Sequence, residues 1–186
     1  MKASPEFSRL IAVEGIIPDK IRTEQIAPTA DECAALCKRF DLRALENVKA
    51  TLKIRRVTGG AAVKVDGEFS ADVVQACVVS LRDVHNRIEG RFETFFAEPS
   101  IAKDEADVLL EGDEIGLEDD EDAPEMIRNG MIDLGEVVAQ YLYLEIDPYP
   151  RAPGVSLAAQ MAKAGDTGKK ANPFDVLQGL ADKKDK

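Results

Sequence analysis

Between residues 47 and 96, apolar and polar side chains alternate over three stretches, a period of two that suits strands with one buried face and defeats a helix. In NVKATLKIRRV (47–57), Val48, Ala50, Leu52 and Ile54 fall on one side, and Lys49, Thr51, Lys53 and Arg55 on the other. Residues 61–69 repeat the pattern with Ala61, Val63, Val65 and Phe69. Residues 84–96 set Val84, Ile88, Phe92 and Phe96 inward, against His85, Arg87, Glu89, Arg91 and Glu93 outward. Thr58-Gly59-Gly60 separates the first two runs and predicts a hairpin. Residues 71–81 are almost continuously apolar and predict a buried strand that carries Cys77 near its end. Successive strands with short links imply an antiparallel meander with one wet face.

Helical signals flank this core. EFSRLIAV (6–13) predicts a short strand, ended by Ile16–Pro18. Thr29 with Glu32 three residues on has the form of a capping box, and Cys33, Leu36, Cys37 and Phe40 make one apolar stripe to about Phe40. Asp133, with Glu136 three on, predicts a second helix with the stripe Leu134, Val137, Val138, Tyr141 and Leu142, stopped at Asp147-Pro148. PYPRAPG continues as an extended piece. A Gly/Lys-rich stretch (162–171) leads to a short terminal helix with Asn172 as cap, Pro173 at the first position, then Phe174, Leu177 and Leu180 at helical spacing. This helix either docks on a partner or folds back on the domain. The expectation is an α+β fold: an antiparallel β-meander with flanking helices, an acidic disordered loop and a flexible C-terminal tail. Residues 1–155 form one domain with an acidic insert at 98–125, and 156–186 form the tail.

Of 35 acidic residues, 11 lie in DEADVLLEGDEIGLEDDED (104–122), which has no Lys or Arg. The remaining 24 equal the 24 Lys and Arg, so the net charge of −11 is the property of one segment. Such a block repels itself and stays solvated. It is either a solubilising loop, or a hook for a basic partner, or a mimic that blocks an RNA-binding face. No run approaches the roughly 18 apolar residues of a membrane helix, and MKASPEFSRL lacks the apolar core of a secretion signal. Three cysteines, an odd number, fit reduced thiols. A cytoplasmic protein is expected, with no contact to membrane or DNA.

The motifs of catalysis are missing. The one histidine, His85, lies on a polar strand face, and no P-loop, H-E-x-x-H or G-x-G-x-x-G occurs. No catalytic residue, metal or cofactor is assigned, and the chain reads as a non-enzyme. Cys33 and Cys37 lack the further His or Cys that four metal ligands need and read as core. Cys77 has no adjacent His, Lys or Arg to lower its pKa and reads as buried packing. Lys49, Lys53 and Arg55 share a strand face with Arg56 beside them, and Arg87 and Arg91 occupy the polar face of another strand. Brought together on the sheet, these six are candidates for holding RNA phosphates or a partner. Glu89 and Glu93 dilute the patch, and no aromatics interleave for base stacking.

Four stretches, ALCKRFDLRALENVKATLKIRR (35–56), ADVVQACVVSLRDV (71–84), IDLGEVVAQYLYLEIDPYPRAPG (132–154) and NPFDVLQGL (172–180), together resemble the YceD-like family of large ribosomal RNA subunit accumulation proteins in its alphaproteobacterial style. The order and the acidic insert match as well. The resemblance implies a ribosome-biogenesis factor whose partner is large-subunit ribosomal RNA or a large-subunit ribosomal protein. It implies no catalytic activity, and the oligomeric state stays open. The alternative is an acidic binding module or chaperone for a basic partner, without RNA contact. Phe174, Leu177 and Leu180 are the candidate docking residues.

The chain departs from the wider family at one site. Many members carry C-x-R-C-L where this chain has Cys77-Val78-Val79-Ser80-Leu81, and a second cysteine pair where it has DPYPRAPG. Four such cysteines make a closed zinc site. Here Ser80 replaces the second, and Cys77 looks like the surviving quarter.

Overall fold

The computed structural model describes residues 5–18, 20–57, 62–98 and 124–156. The elements are β1 (Leu10–Ala12), a short 3-10 turn (Val13–Gly15), β2 (Arg22–Ile26), α1 (Ala30–Phe40), β3 (Ala44–Arg56), β4 (Ala62–Ala76), β5 (Asp83–Ala97), β6 (Glu125–Met126), β7 (Met131–Asp133) and α2 (Leu134–Leu144). Five strands form one sheet in the order β2-β3-β4-β5-β6, and β1 pairs with β7 in a second, two-stranded sheet. The fold is α+β, as the alternation predicts. β3, β4 and β5 form the antiparallel meander, β2 joins it through α1, and β6 alone pairs parallel, with the end of β5. Among the described residues no helix is long and apolar enough to cross a membrane.

Alternation translates into burial as expected. Leu52, Ile54, Val63, Val65 and Val73 are fully buried on one face of the sheet, and α1 and α2 add Leu36, Phe40, Val138 and Leu142 to the same core. Two glycines let aromatic rings lie flat on the strands. Gly67 pairs with Phe92 and Gly90 with Phe69. A Cβ on Gly67 would sit 2.2 Å from the Phe92 ring, and one on Gly90 2.4 Å from that of Phe69. The Phe92 ring is closed over by Tyr141 of α2, stacked at 4.1 Å.

Several expectations change. Residues 62–69 and 71–76 of these two runs belong to one strand, β4, which stops at Ala76. Cys77 therefore lies in a turn, not a strand. The Leu81 amide donates to the Cys77 carbonyl at 2.9 Å, the Cys77 amide to the Arg82 carbonyl at 2.8 Å, and Leu81 takes φ 58. This tight reversal lets β5 start at Asp83. The strand expected over 6–13 pairs only at Leu10–Ala12. β2, β6 and β7 have no alternation strong enough to announce them; each is held by the strand it pairs with. The predicted turn at 58–60, the acidic segment 104–122 and the terminal helix with Phe174, Leu177 and Leu180 lie outside the described residues.

Both helix starts match their sequence signals. Thr29 caps α1 in a full capping box with Glu32. The Glu32 carboxylate also takes both arms of the Arg9 guanidinium, at 2.7 and 2.8 Å. Asp133 caps α2 through the amides of Gly135 and Glu136, and accepts from the Arg9 amide at 2.7 Å and the Ser8 hydroxyl at 2.6 Å. One carboxylate thus satisfies the orphan donors of a helix start and ties the N-terminal segment to it.

Candidate functional site

β3 carries a one-residue bulge. Its register against β4 shifts between Glu46 and Lys49, and Asn47 there takes φ 52. The extra residue lets Leu45 and Val48, three apart, both be buried. It also puts Lys49 outward, in line with Thr51, Lys53 and Arg55.

The outward face is a grid of rows set by the strand register. Across β3, β4 and β5 the rows read Lys49–Ser70–Glu89, Thr51–Glu68–Arg91, Lys53–Asp66–Glu93 and Arg55–Lys64–Phe95. Two open concavities line this face. One of about 680 Å3 is lined by residues that include Lys49, Glu68, Ser70, Glu89 and Arg91. The other, of about 410 Å3, includes Lys53, Asp66, Glu93 and again Arg91.

The charges on this grid sort by strand. On β4 and β5 opposite charges consume each other: Arg91 pairs with Glu68 at 3.3 Å, and Arg87 with Glu89 at 2.8 Å and Asp72 at 3.4 Å. Lys64 pairs with Glu93 and lies 3.4 Å from Asp66. The Lys64 ammonium holds the Glu93 carboxyl below the usual carboxylate range, with Arg55 adding to the same effect. Lys49 and Lys53 on β3 form no ion pair among the described residues.

The structure therefore brings Lys49, Lys53, Arg55, Arg87 and Arg91 onto one face. It turns Arg56 the other way: paired with Val63, its guanidinium donates to the carbonyls of Ile16 at 3.0 Å and Val13 at 2.9 Å. Two neighbouring arginines in a strand point to opposite faces, so Arg56 clamps the 3-10 turn. Lys64 belongs to the face and was legible in the alternation, between inward Val63 and Val65. His85 is exposed on the same face.

A second surface lies between the helices. Arg39, Phe40, Gln140, Tyr143 and Leu144 line a groove of about 330 Å3. Phe40 and Tyr143 rings sit 5.3 Å apart, and Arg39 is fixed by Glu136 at 2.8 and 2.9 Å and by Glu6 at 3.1 Å.

Cys77 is fully buried in a small cluster with Val84 and Ala152, separate from the main core that Cys33 and Cys37 touch. Its sulfur accepts from the Ala152 amide at 3.3 Å and the Ser80 amide at 3.4 Å. The Ala152 amide first, then the Ser80 hydroxyl, with the Ser80 and Val79 amides adding to them, lower the thiol pKa to about 6 against the opposing effect of burial. Charged neighbours were the wrong signal to look for, since backbone amides supply the same stabilisation. The donor set does not fit a zinc ion: the residues packed on Cys77 are Val79, Val84, Ala152 and Val155, none with a ligating side chain. Among the described residues, no three His, Cys, Asp or Glu side chains converge.

Fold and site together define a small α+β domain whose distinctive features are surfaces: a charged sheet face and an apolar groove between the two helices. The sequence model of the family described as Large ribosomal RNA subunit accumulation protein YceD matches residues 65–181, and the chain belongs to this family. Neither the curated proteins nor the solved structures contain a match to the chain.

Proposed function

We propose that this protein is a noncatalytic, cytoplasmic ribosome-biogenesis factor that supports synthesis, processing or accumulation of large-subunit ribosomal RNA by holding RNA phosphates on its sheet face. Family membership supplies the process. The observation that carries the mode of action is the β3 column of Lys49, Lys53 and Arg55, whose two lysines have no acidic partner among the described residues. Phosphates are recognised by such unneutralised cations. The paired Arg87 and Arg91 would contribute less, because RNA must first compete with Glu68, Asp72 and Glu89. The expected contact is sequence-tolerant, salt-sensitive and built on the backbone rather than on the bases.

One observation favours a second reading, an acidic module for a basic ribosomal protein. Asp66, Glu68, Asp72, Glu89 and Glu93 interleave on the same face, and residues 104–122 add 11 acids. An affinity pull-down from lysate, with and without RNase, separates the two. RNase-sensitive recovery of large-subunit precursors supports the RNA reading. An RNase-resistant basic ribosomal protein, lost when 104–122 is deleted, supports the second.

A further inference from the structure

We propose that the groove between α1 and α2 is the docking site of the chain's own C-terminal segment, residues 172–180, with Phe174, Leu177 and Leu180 covering the exposed Tyr143 and Leu144 beside Phe40. The inference is independent of the RNA reading, which concerns the outward face of β3, β4 and β5.

The groove is built and unfilled by its own neighbours. Leu144 is 74% exposed and Tyr143 54%, although both end the helix that sends Val138 and Leu142 into the core. Its walls are held in place by the Arg39–Glu136 fork and the Phe40–Tyr143 contact. A preformed apolar groove between two helices is the shape that receives an amphipathic helix.

The segment has the matching chemistry. Phe174, Leu177 and Leu180 recur at three-residue spacing behind an Asn-Pro start, so one face of a helix presents all three. Charge agrees as well. The last turn of α2 contains no basic residue, so the negative end of its dipole is uncompensated, and Glu145 follows it. Lys169 and Lys170 immediately precede the segment.

The tether is long enough. Ser156 lies twelve residues beyond Leu144, so the two are at most about 43 Å apart. The sixteen residues from Ser156 to Asn172 reach about 55 Å when extended. Such a tether gives an effective concentration on the order of millimolar, so a contact too weak to form between separate molecules is populated within one.

Amide hydrogen exchange of the full chain, read by mass spectrometry, tests this. The comparison is wild type against a groove variant, Tyr143→Gln with Leu144→Gln, and a segment variant with Phe174, Leu177 and Leu180 all changed to Ser. Residues 172–180 should exchange about tenfold more slowly in wild type than in the groove variant. Residues 140–146 should lose protection in the segment variant. Peptides from β4 and β5 report folding and should be unchanged, because the altered groove residues are already exposed. Equal exchange of 172–180 in wild type and groove variant overturns the proposal. So does protection that vanishes on dilution together with a dimer, since the occupant is then a second copy.

Discussion

The backbone amide of Ala152 donates to the sulfur of Cys77 at 3.3 Å, joining the turn after β4 to the chain beyond α2. The pair lies 75 residues apart in sequence. Together with the Ser80 hydroxyl and the neighbouring turn amides, it brings the native thiol pKa down to about 6.

That value gives stability a pH dependence. An unfolded cysteine titrates near about 8.5. The native chain gives up its proton first, so between the two pKa values the unfolded state holds more protons and stability rises with pH. The contribution is complete above the unfolded value and is lost as pH falls through about 6. Urea midpoints measured from about pH 5.5 to 8.5 should climb more steeply for wild type than for Cys77→Ala. Cys33 and Cys37, whose thiols burial pushes up, cancel in this comparison. Parallel curves would mean that the amides do not stabilise the thiolate.

At the acid end the relevant pair is Arg9 and Glu32. The guanidinium, helped by the Thr29 amide, holds the Glu32 carboxyl at about 2. A depressed carboxylate stabilises the fold above its unfolded pKa, near 4.3, and loses that contribution as pH falls through about 2. Arg9→Ala should cost about 1 kcal/mol at neutral pH, since the pair is partly exposed. The deficit should shrink in acid. A deficit constant from neutral pH to the acid limb would assign it to packing instead.

Ring-on-glycine packing predicts a steric cost. Gly67→Ala places a methyl 2.2 Å from a Phe92 ring that Tyr141 holds from the other side. The ring has nowhere to retreat, and the substitution should destabilise by about 1–3 kcal/mol in urea unfolding. Combining it with Phe92→Leu should recover part of the loss. No recovery would place the strain in the backbone.

Neighbouring arginines should separate cleanly by substitution. Arg56→Ala removes donors from the carbonyls of Val13 and Ile16 and should lower stability by about 1.5–3 kcal/mol. The salt dependence of RNA binding should stay as it was. The triple variant Lys49→Ala, Lys53→Ala, Arg55→Ala should keep stability within about 0.5 kcal/mol. It should lower the slope of log affinity against log salt by about 0.7 per lost phosphate contact. A triple variant with the wild-type slope would remove RNA from this face.

Strands and helices with their own periodicity were legible. β3 and β5 follow from alternation, and both helix starts from Thr29 and Asp133, because those signals are local. The turn at Cys77 was not, since residues 71–81 stay apolar past the strand end and the chain is turned there by long-range contacts with Pro150 and Ala152. β2 was missed because Arg22–Ile26 owes its form to β3 rather than to its own residues. Of the six basic residues nominated for the sheet face, alternation placed five on it. The sixth, Arg56, was counted with its neighbours although adjacent strand residues face opposite ways. The groove at Tyr143 and Leu144 was invisible, since exposure at a helix end depends on what packs beside it.

The bulge at Asn47 is a dislocation in the strand lattice. Residues before it and after it belong to two different counts, one odd and one even, that agree on what is inside only because one residue is spare. Straighten the strand with Asn47 kept and a single count must govern all of β3: either Leu45 meets water or Lys49, Lys53 and Arg55 turn into the core. The cationic character of the surface is thus a matter of parity as much as of composition, and losing the bulge while keeping the residue would invert it without altering a single charge.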